Sequence, residues 1–131
     1  METVRPLLEL ALRWLLALAM TGVGILHFTD PRPFARIVPP FLPQPLALVY
    51  ISGAFEILGG VGLVVPIALT QRIAAYGLVA LFIAVFPANV YMAMAQIPLG
   101  NKQMPVWALW ARLPLQGVLI AWAWWLGKTG G

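Results

Sequence analysis

The sequence contains no cysteine, one histidine and very little charge. Eight Lys and Arg and four Asp and Glu make only 9% of the residues charged, whereas about a quarter is usual in soluble domains. The lack of cysteine excludes thiol catalysis, disulfides, Fe–S clusters and cysteine-rich zinc sites. A single histidine excludes a multi-histidine site within one chain, so we predict no metal site. The basic residues are scattered singly, which argues against nucleic-acid binding despite the net charge of +4.

Apolar residues are abundant instead, at 62% of the chain. They form four long runs, at 7–26, 46–69, 73–97 and 106–126. Each is about 20 residues or longer, the length that a helix needs to cross about 30 Å of hydrocarbon. The runs lack the charged outer face of helices in a soluble bundle. The sequence therefore predicts an all-α fold, with a single transmembrane domain over residues 1–131. We expect an antiparallel four-helix bundle with both termini on one side.

The connection from His27 to Pro45 is the longest and holds half of the 12 prolines. Asp30 can cap a helix that has Pro31 in its first position. Five apolar residues then follow helical spacing: Phe34, Ile37, Val38, Phe41 and Leu42. This pattern predicts a short amphipathic segment between helices 1 and 2, lying on the membrane surface as a lid. An ordinary proline-rich loop is the alternative. The next connection is expected to be a tight turn at residues 70–72.

The positive-inside rule barely separates the two sides of the membrane, and we expect both termini in the cytoplasm. The tight turn at Arg72 lies on the same side as the termini and suits the cytoplasm. The basic residues on that side are Arg5, Arg72 and Lys128, with Arg13 near the edge, and those on the other side are Arg32, Arg36 and Lys102.

The polar residues within the runs gather in one half of the membrane. Counting along each helix places Glu56 about 15 Å below the face with the long loop, and Asn89 and Arg112 about 10 Å below it. Residues from all four helices share this half: His27, Glu56, Asn89, Tyr91, Arg112 and Gln116. We predict that these side chains line a ligand-binding cavity open to the loop face. For His27, capping at the interface and ligand contact both remain open.

Two prolines lie beside these polar residues. Pro87 removes the helical partner of the Ile83 carbonyl, and Pro114 removes that of the Trp110 carbonyl. Helices broken at membrane depth are tolerated mainly where they line a protected cavity. This coincidence favours a cavity over a purely structural polar cluster.

Charged residues within a span cost about 2.5–3.5 kcal/mol each and are normally paired. The shared depth of Glu56 and Arg112 predicts an ion pair between them at the base of the cavity. The alternative is that this pair only fixes the helix register. Glu9 and Arg13 are four residues apart on the first helix, which predicts a second, structural ion pair near the termini.

The residue pattern resembles that of DoxX-like membrane proteins over nearly the whole chain. The stretches that carry the resemblance are Gly24-Ile-Leu-His27-Phe28, Pro33-Phe34, Ile37-Val38-Pro39-Pro40, Ser52-Gly53-x-x-Glu56-x-x-Gly59-Gly60-x-Gly62-Leu63, Phe86-Pro87-Ala88-Asn89-x-Tyr91-Met92-Ala93 and Arg112-Leu113-Pro114-Leu115-Gln116. The resemblance implies a small four-helix protein of the bacterial inner (cytoplasmic) membrane. The family takes its name from a subunit of a thiosulfate–quinone oxidoreductase. Its relatives with redox cysteines are no guide here, because this chain has none.

These observations favour a redox-associated membrane subunit or a small-ligand-binding protein, with a quinone as the candidate ligand. Arg112, Gln116 and His27 would donate hydrogen bonds to it. No flavin or nucleotide motif is present, so we expect no intrinsic cofactor and no catalysis by this chain alone. Its surroundings would be the lipid bilayer, and a membrane or peripheral redox partner or a homo-oligomer is compatible with the sequence.

Two other classes of function remain open. A non-catalytic assembly or scaffold protein would bind other membrane helices through small residues, such as Gly59, Gly60 and Gly62 or Ala80, Ala84 and Ala88. A small multidrug-type transporter fits less well. Such transporters rely on a glutamate within the first helix, whereas Glu9 lies near a membrane edge with Arg13 beside it.

Overall fold

The computed structural model describes residues 4–97 and 105–129, which form five helices joined by turns. The helices are α1 (Val4–Thr29), α2 (Arg32–Arg36), α3 (Pro45–Gly62), α4 (Ala68–Ala95) and α5 (Val106–Thr129). All except α2 are long and apolar enough to cross a membrane. Each of the four exposes large apolar side chains, as Leu58 does on α3 with 67% of its surface accessible. The prediction of an all-helical chain with four candidate membrane spans is therefore confirmed. Lys102, which the sequence placed on the side opposite the termini, lies outside the described residues.

The turn between α3 and α4 is not where the sequence predicted it. Helix α3 ends at Gly62, and α4 begins at Ala68, so Thr70, Gln71 and Arg72 lie within α4. The turn occupies residues 63–67 instead. Pro66 explains the difference, because it lacks an N–H and disfavours helical geometry in the residue before it. Apolar residues continue through this turn, and hydropathy alone therefore places the boundary too late.

Glycines bring α1 and α3 into close contact. A Cβ added to Gly53 would lie 2.5 Å from the Cβ of His27, and one added to Gly60 would lie 2.6 Å from the Oγ1 of Thr21. Without these glycines the two backbones could not approach so closely. The contacts also run in opposite order along the two helices, since the later residue on α1 meets the earlier residue on α3. The glycines of α3 thus serve packing within the chain.

The larger of two hydrophobic clusters among the described residues lies at one end of the long helices, and the smaller one, formed by Met92, Ala93 and Leu109, lies at the other. The larger cluster combines α1, α4, α5 and the turn after α3, and its buried members include Leu16, Leu63, Leu78, Ala123 and Leu126. We call the end with the larger cluster the closed half. The other end, which contains His27, Glu56, Asn89 and Arg112, is called the open half.

Arg13 is buried within the closed half, with 5% of its surface exposed. Its guanidinium donates to the carbonyl of Leu63 at 3.1 Å and to the carbonyl of Leu126 at 3.2 Å. Its Nη2 also lies 3.5 Å from the Oε1 of Glu9, so the structure contains the contact predicted for this pair. Both carbonyls lie at or just beyond a helix C-terminus, where the helix provides no N–H partner and favours a positive charge. Arg13 therefore ties α1 to the ends of α3 and α5.

The short helix α2 lies over the open half, in agreement with the predicted helical segment between helices 1 and 2. It packs against α3. The ring of Phe34 stacks on that of His27, with centroids 3.8 Å apart and planes at 20°. Arg32 and Arg36 are exposed. The segment is thus amphipathic as predicted, because Phe34 contacts the bundle while Arg32 and Arg36 are exposed.

Candidate functional site

A cavity of about 720 Å³ occupies the open half. All four long helices and the segment after α1 contribute to its wall. Its polar lining consists of His27, Ser52, Glu56, Asn89, Arg112 and Gln116. Its apolar lining includes Phe34, Ile37, Val38, Phe55 and Phe82. The cavity therefore combines a few polar groups with a largely apolar wall, as small-molecule sites commonly do.

The first polar group of the cavity is formed by His27 and Glu56. The Nδ1 of His27 lies 2.8 Å from the carbonyl oxygen of Val23 and 3.2 Å from the Oε2 of Glu56. A carbonyl only accepts, so Nδ1 carries a hydrogen that it donates to Val23. Within the described residues, the Oε2 of Glu56 has no hydrogen-bond partner, although Glu56 is only 8% exposed. A buried acceptor beside the cavity is therefore unsatisfied.

The second polar group is a chain of hydrogen bonds across α5 and α4. Arg112 Nη2 donates to Asn89 Oδ1 at 3.3 Å. Asn89 Nδ2 donates to Gln116 Oε1 at 3.2 Å, and Gln116 Nε2 donates to the carbonyl of Phe82 at 2.8 Å. The final acceptor is a main-chain carbonyl, which fixes the direction of the whole chain and hence the orientation of both amides. Asn89 and Gln116 thereby position the guanidinium of Arg112.

The main-chain acceptor in this chain lies next to the carbonyl that Pro87 was expected to free. Loss of the N–H at Pro87 was expected to free the carbonyl of Ile83, but Gln116 bonds to that of Phe82. Phe82 is 3% exposed and faces inward, whereas Ile83 is 56% exposed and lies on the outer surface. The inner face of α4 therefore determines which carbonyl a neighbouring helix can reach.

The predicted ion pair between Glu56 and Arg112 is not formed. Among the described residues, Glu56 lies against His27 and Arg112 bonds to Asn89. Both side chains line the same cavity. Counting residues along a helix gave the correct depth for each, but depth does not tell which neighbour a side chain meets around the helix axis. The prediction of a direct pair was therefore wrong, whereas that of a shared cavity agrees with the structure.

Tyr91 is separated from the other predicted site residues. It borders a second, apolar pocket of about 430 Å³, formed with Pro39, Phe41, Phe86 and Met94. Of the six predicted ligand-binding residues, the structure brings together the other five: His27, Glu56, Asn89, Arg112 and Gln116.

Ser52 and Phe34 are lining residues that the sequence analysis did not assign to the site. Ser52 lies four residues before Glu56, one helical turn away on the same face of α3. That spacing was visible in the sequence. Phe34 was assigned to the lid, but its stack on His27 also makes it part of the cavity wall. The described residues contain no cluster of three or more His, Cys, Asp or Glu side chains able to hold a metal ion.

Fold and site together define a helical membrane protein with a polar cavity in one half of its long helices. The chain belongs to the family described as Domain of unknown function (DUF8561), whose match covers residues 16–127. No curated protein and no solved structure matches the chain. The matched region of the chain includes the residues of both polar groups of the cavity.

Proposed function

We propose that the protein is an antiparallel four-helix bundle of the DoxX-like kind that binds a small amphiphilic ligand in the open half. A quinone is the leading candidate. The observation that carries this proposal is the cavity of about 720 Å³ with buried polar groups from all four long helices. In this account the chain supplies a binding site to a redox-associated membrane complex, and a partner protein or the ligand itself carries the electrons.

The lining supports an amphiphile rather than a fully polar ligand. Arg112 offers five N–H donors, of which one is used on Asn89. These donors suit a carbonyl head group. The wall also includes Ile51 and Phe55, which are 52% and 56% exposed on the outer surface of α3. An apolar tail can leave the cavity past these residues into the lipid.

The membrane setting of this proposal follows the earlier expectations. We place the protein in a bacterial cytoplasmic membrane with both termini in the cytoplasm, so that the open half faces the opposite side.

Cysteine labelling can test the orientation directly, because the chain has no cysteine of its own. Cysteines at Thr129 and Asp30 should react from opposite sides. Labelling of both from the same side would contradict the bundle.

The alternative role as a scaffold has less support. It relied on glycines of α3 and alanines of α4 being free to bind other helices, and although Ala80 and Ala84 are exposed, the glycines are not free. Gly60 faces Ala17 and Thr21 within the chain, and Gly59 faces Leu78. These glycines are therefore occupied by internal packing. The transporter alternative relied on Glu9, whose contact is Arg13.

The proposal can be tested by identifying the amphiphiles that co-purify with the protein. The wild-type protein, an Arg112→Gln variant and an Arg72→Gln control are extracted in mild detergent, and bound quinone is measured by mass spectrometry. Arg72 is an exposed arginine on α4 and does not line the cavity. We expect quinone with the wild type and the control, and about tenfold less with Arg112→Gln, as for loss of one charged hydrogen bond. Equal amounts in all three would contradict the proposal.

A further inference from the structure

Helices α3 and α4 touch in the closed half and separate in the open half. In the closed half, a Cβ added to Gly59 would lie 2.5 Å from the Cδ2 of Leu78. One added to Gly62 would lie 2.8 Å from the Cβ of Ala74. Steps of three and four residues keep side chains on one face of a helix, and the same two faces continue into the open half. There they line the cavity with Leu48, Ser52 and Phe55 on α3 and with Leu81, Val85 and Ala88 on α4. The cavity therefore separates two faces that pack together in the closed half.

The separation leaves an opening on the outer side of the bundle. The cavity wall includes Ile51 and Phe55, which are 52% and 56% exposed, and Ala84 of α4, which is also exposed. Around the axis of α3, Ile51 lies about 160° from Gly53, the glycine that contacts α1. Around the axis of α4, Ala84 lies about 140° from Asn89, which bonds to α5. The opening between α3 and α4 therefore faces away from the other two long helices.

This opening lies at membrane depth. Phe55 is ten residues from the start of α3 at Pro45, and Ala84 is 11 residues from the end of α4 at Ala95. At 1.5 Å per residue, both lie about 15 Å from the open end of their helices, near the middle of a hydrocarbon core of about 30 Å. Both helices are candidate membrane spans. The opening is thus surrounded by acyl chains when the helices span the membrane.

The end of the cavity nearer the water has a different boundary. It carries α2 and the segment that follows, with the lining side chains Phe34, Ile37, Val38, Phe41 and Leu42. An apolar chain that left the cavity at this end would enter water, which is unfavourable. A chain that left between α3 and α4 would stay in hydrocarbon. The structure thus offers an apolar chain one favourable direction.

We propose that the opening between α3 and α4 is a lateral portal that holds the apolar tail of the bound ligand, with Ile51 and Phe55 on one side and Ala84 on the other. This inference rests on the proposed function, since it assumes that the cavity is a ligand site. It adds the second wall of the tail's path and gives Ala84 a role in ligand selection. A side chain of this size leaves room for a chain between the helices, as a large one would not.

The test compares two probes with the same head group, a decyl-substituted benzoquinone and its analogue with a methyl group in place of the decyl chain. Their affinities for the full-length protein are measured by equilibrium dialysis, with the same detergent concentration on both sides. The portal variants are Ala84→Trp on α4 and Ile51→Trp on α3. Their matched controls are Ala80→Trp and Leu58→Trp, because both residues are exposed on the same helices and neither lines the cavity. Gel filtration and circular dichroism check that each variant is folded.

We expect the wild type and both controls to bind the decyl probe more tightly than the methyl probe, because the tail buries apolar surface between the helices. Both portal variants should bind the decyl probe about tenfold less tightly, as for overpacking of a filled site, and keep their affinity for the methyl probe.

Equal wild-type affinity for the two probes would overturn the inference and leave the proposed function intact. So would an unchanged decyl affinity in either portal variant, or the same loss in a control. An equal loss for both probes in the portal variants would also overturn it, since the tryptophan would then disturb the head-group site. Binding of neither probe by the wild type would instead overturn the proposed function.

Discussion

The two halves of the protein hold an arginine within a long helix in opposite ways. In the closed half, Arg13 is 5% exposed, donates to two main-chain carbonyls and contacts Glu9. In the open half, Arg112 has one hydrogen bond within the described part of the chain, to Asn89, and lines a cavity of about 720 Å³. A buried charge with its partners inside the chain supports the fold. An arginine that lines a cavity and bonds to an amide there still has N–H donors that can bind a ligand.

This difference predicts that the closed half contributes most to stability. Replacing Arg13 with Met leaves the carbonyls of Leu63 and Leu126 and the Glu9 carboxylate without their shared partner. The free energy of unfolding should fall by about 3–5 kcal/mol, as when one partner of a buried ion pair is removed. This free energy can be measured by adding SDS to the protein in mild detergent micelles until it unfolds. Arg72→Met, which changes an exposed arginine, should have little effect. A similar loss in both variants would contradict the role of Arg13.

A smaller loss is expected where α1 meets α3. A Cβ on Gly53 would lie 2.5 Å from the Cβ of His27, so Gly53→Ala should separate the helices. Overpacking of this kind costs about 1–3 kcal/mol. Gly22→Ala is a matched control on α1, because nothing lies within 4 Å of its added Cβ. The control should be neutral or slightly stabilising, since alanine favours a helix over glycine. Equal destabilisation by both would show that the close approach is unimportant.

The hydrogen-bond chain of the open half should affect binding more than stability. Gln116→Leu removes the bonds to Asn89 and to the Phe82 carbonyl. We expect a loss of about 1 kcal/mol in unfolding free energy. The affinity for a decyl-tailed probe should fall as well, because Arg112 loses its positioning. Leu115→Ala, at an exposed neighbour outside the cavity, is the control. Unchanged affinity in Gln116→Leu would remove Gln116 from the site.

The smallest effect on stability is expected at the lid. Phe34→Ala removes the stack on His27, at a cost of less than about 1 kcal/mol. It should nevertheless open the cavity to solutes. A cysteine at Ser52, which lines the cavity, can report this through its rate of reaction with a small maleimide. We expect faster labelling in Phe34→Ala than with Phe34 present. Phe41→Ala would not serve as a control, because Phe41 also lines the cavity. Arg32→Ala, at an exposed residue of the same helix, is suitable and should leave the rate unchanged.

The sequence predicts the depth of polar side chains in the membrane better than it predicts the residues that they contact. Apolar runs located the four long helices, and residue counting placed Glu56 and Arg112 at the level of one cavity. Neither method gives the rotation of a helix about its axis, and so the contacts with His27 and Asn89 were missed. The partners of Arg13 are main-chain carbonyls, which leave no trace in a residue pattern. The turn at 63–67 was misplaced because its residues are as apolar as those of the helices.

The most direct test of the account compares Arg13→Gln with Arg112→Gln, measuring unfolding free energy and bound ligand for both. The substitution is the same, and only the half of the protein differs. We predict a large loss of stability for Arg13→Gln, with ligand still bound by the folded fraction. For Arg112→Gln we predict a smaller loss of stability and loss of the ligand. If Arg112→Gln were as destabilising as Arg13→Gln, and ligand loss followed unfolding in both, the open half would be a structural cluster and the account would be wrong.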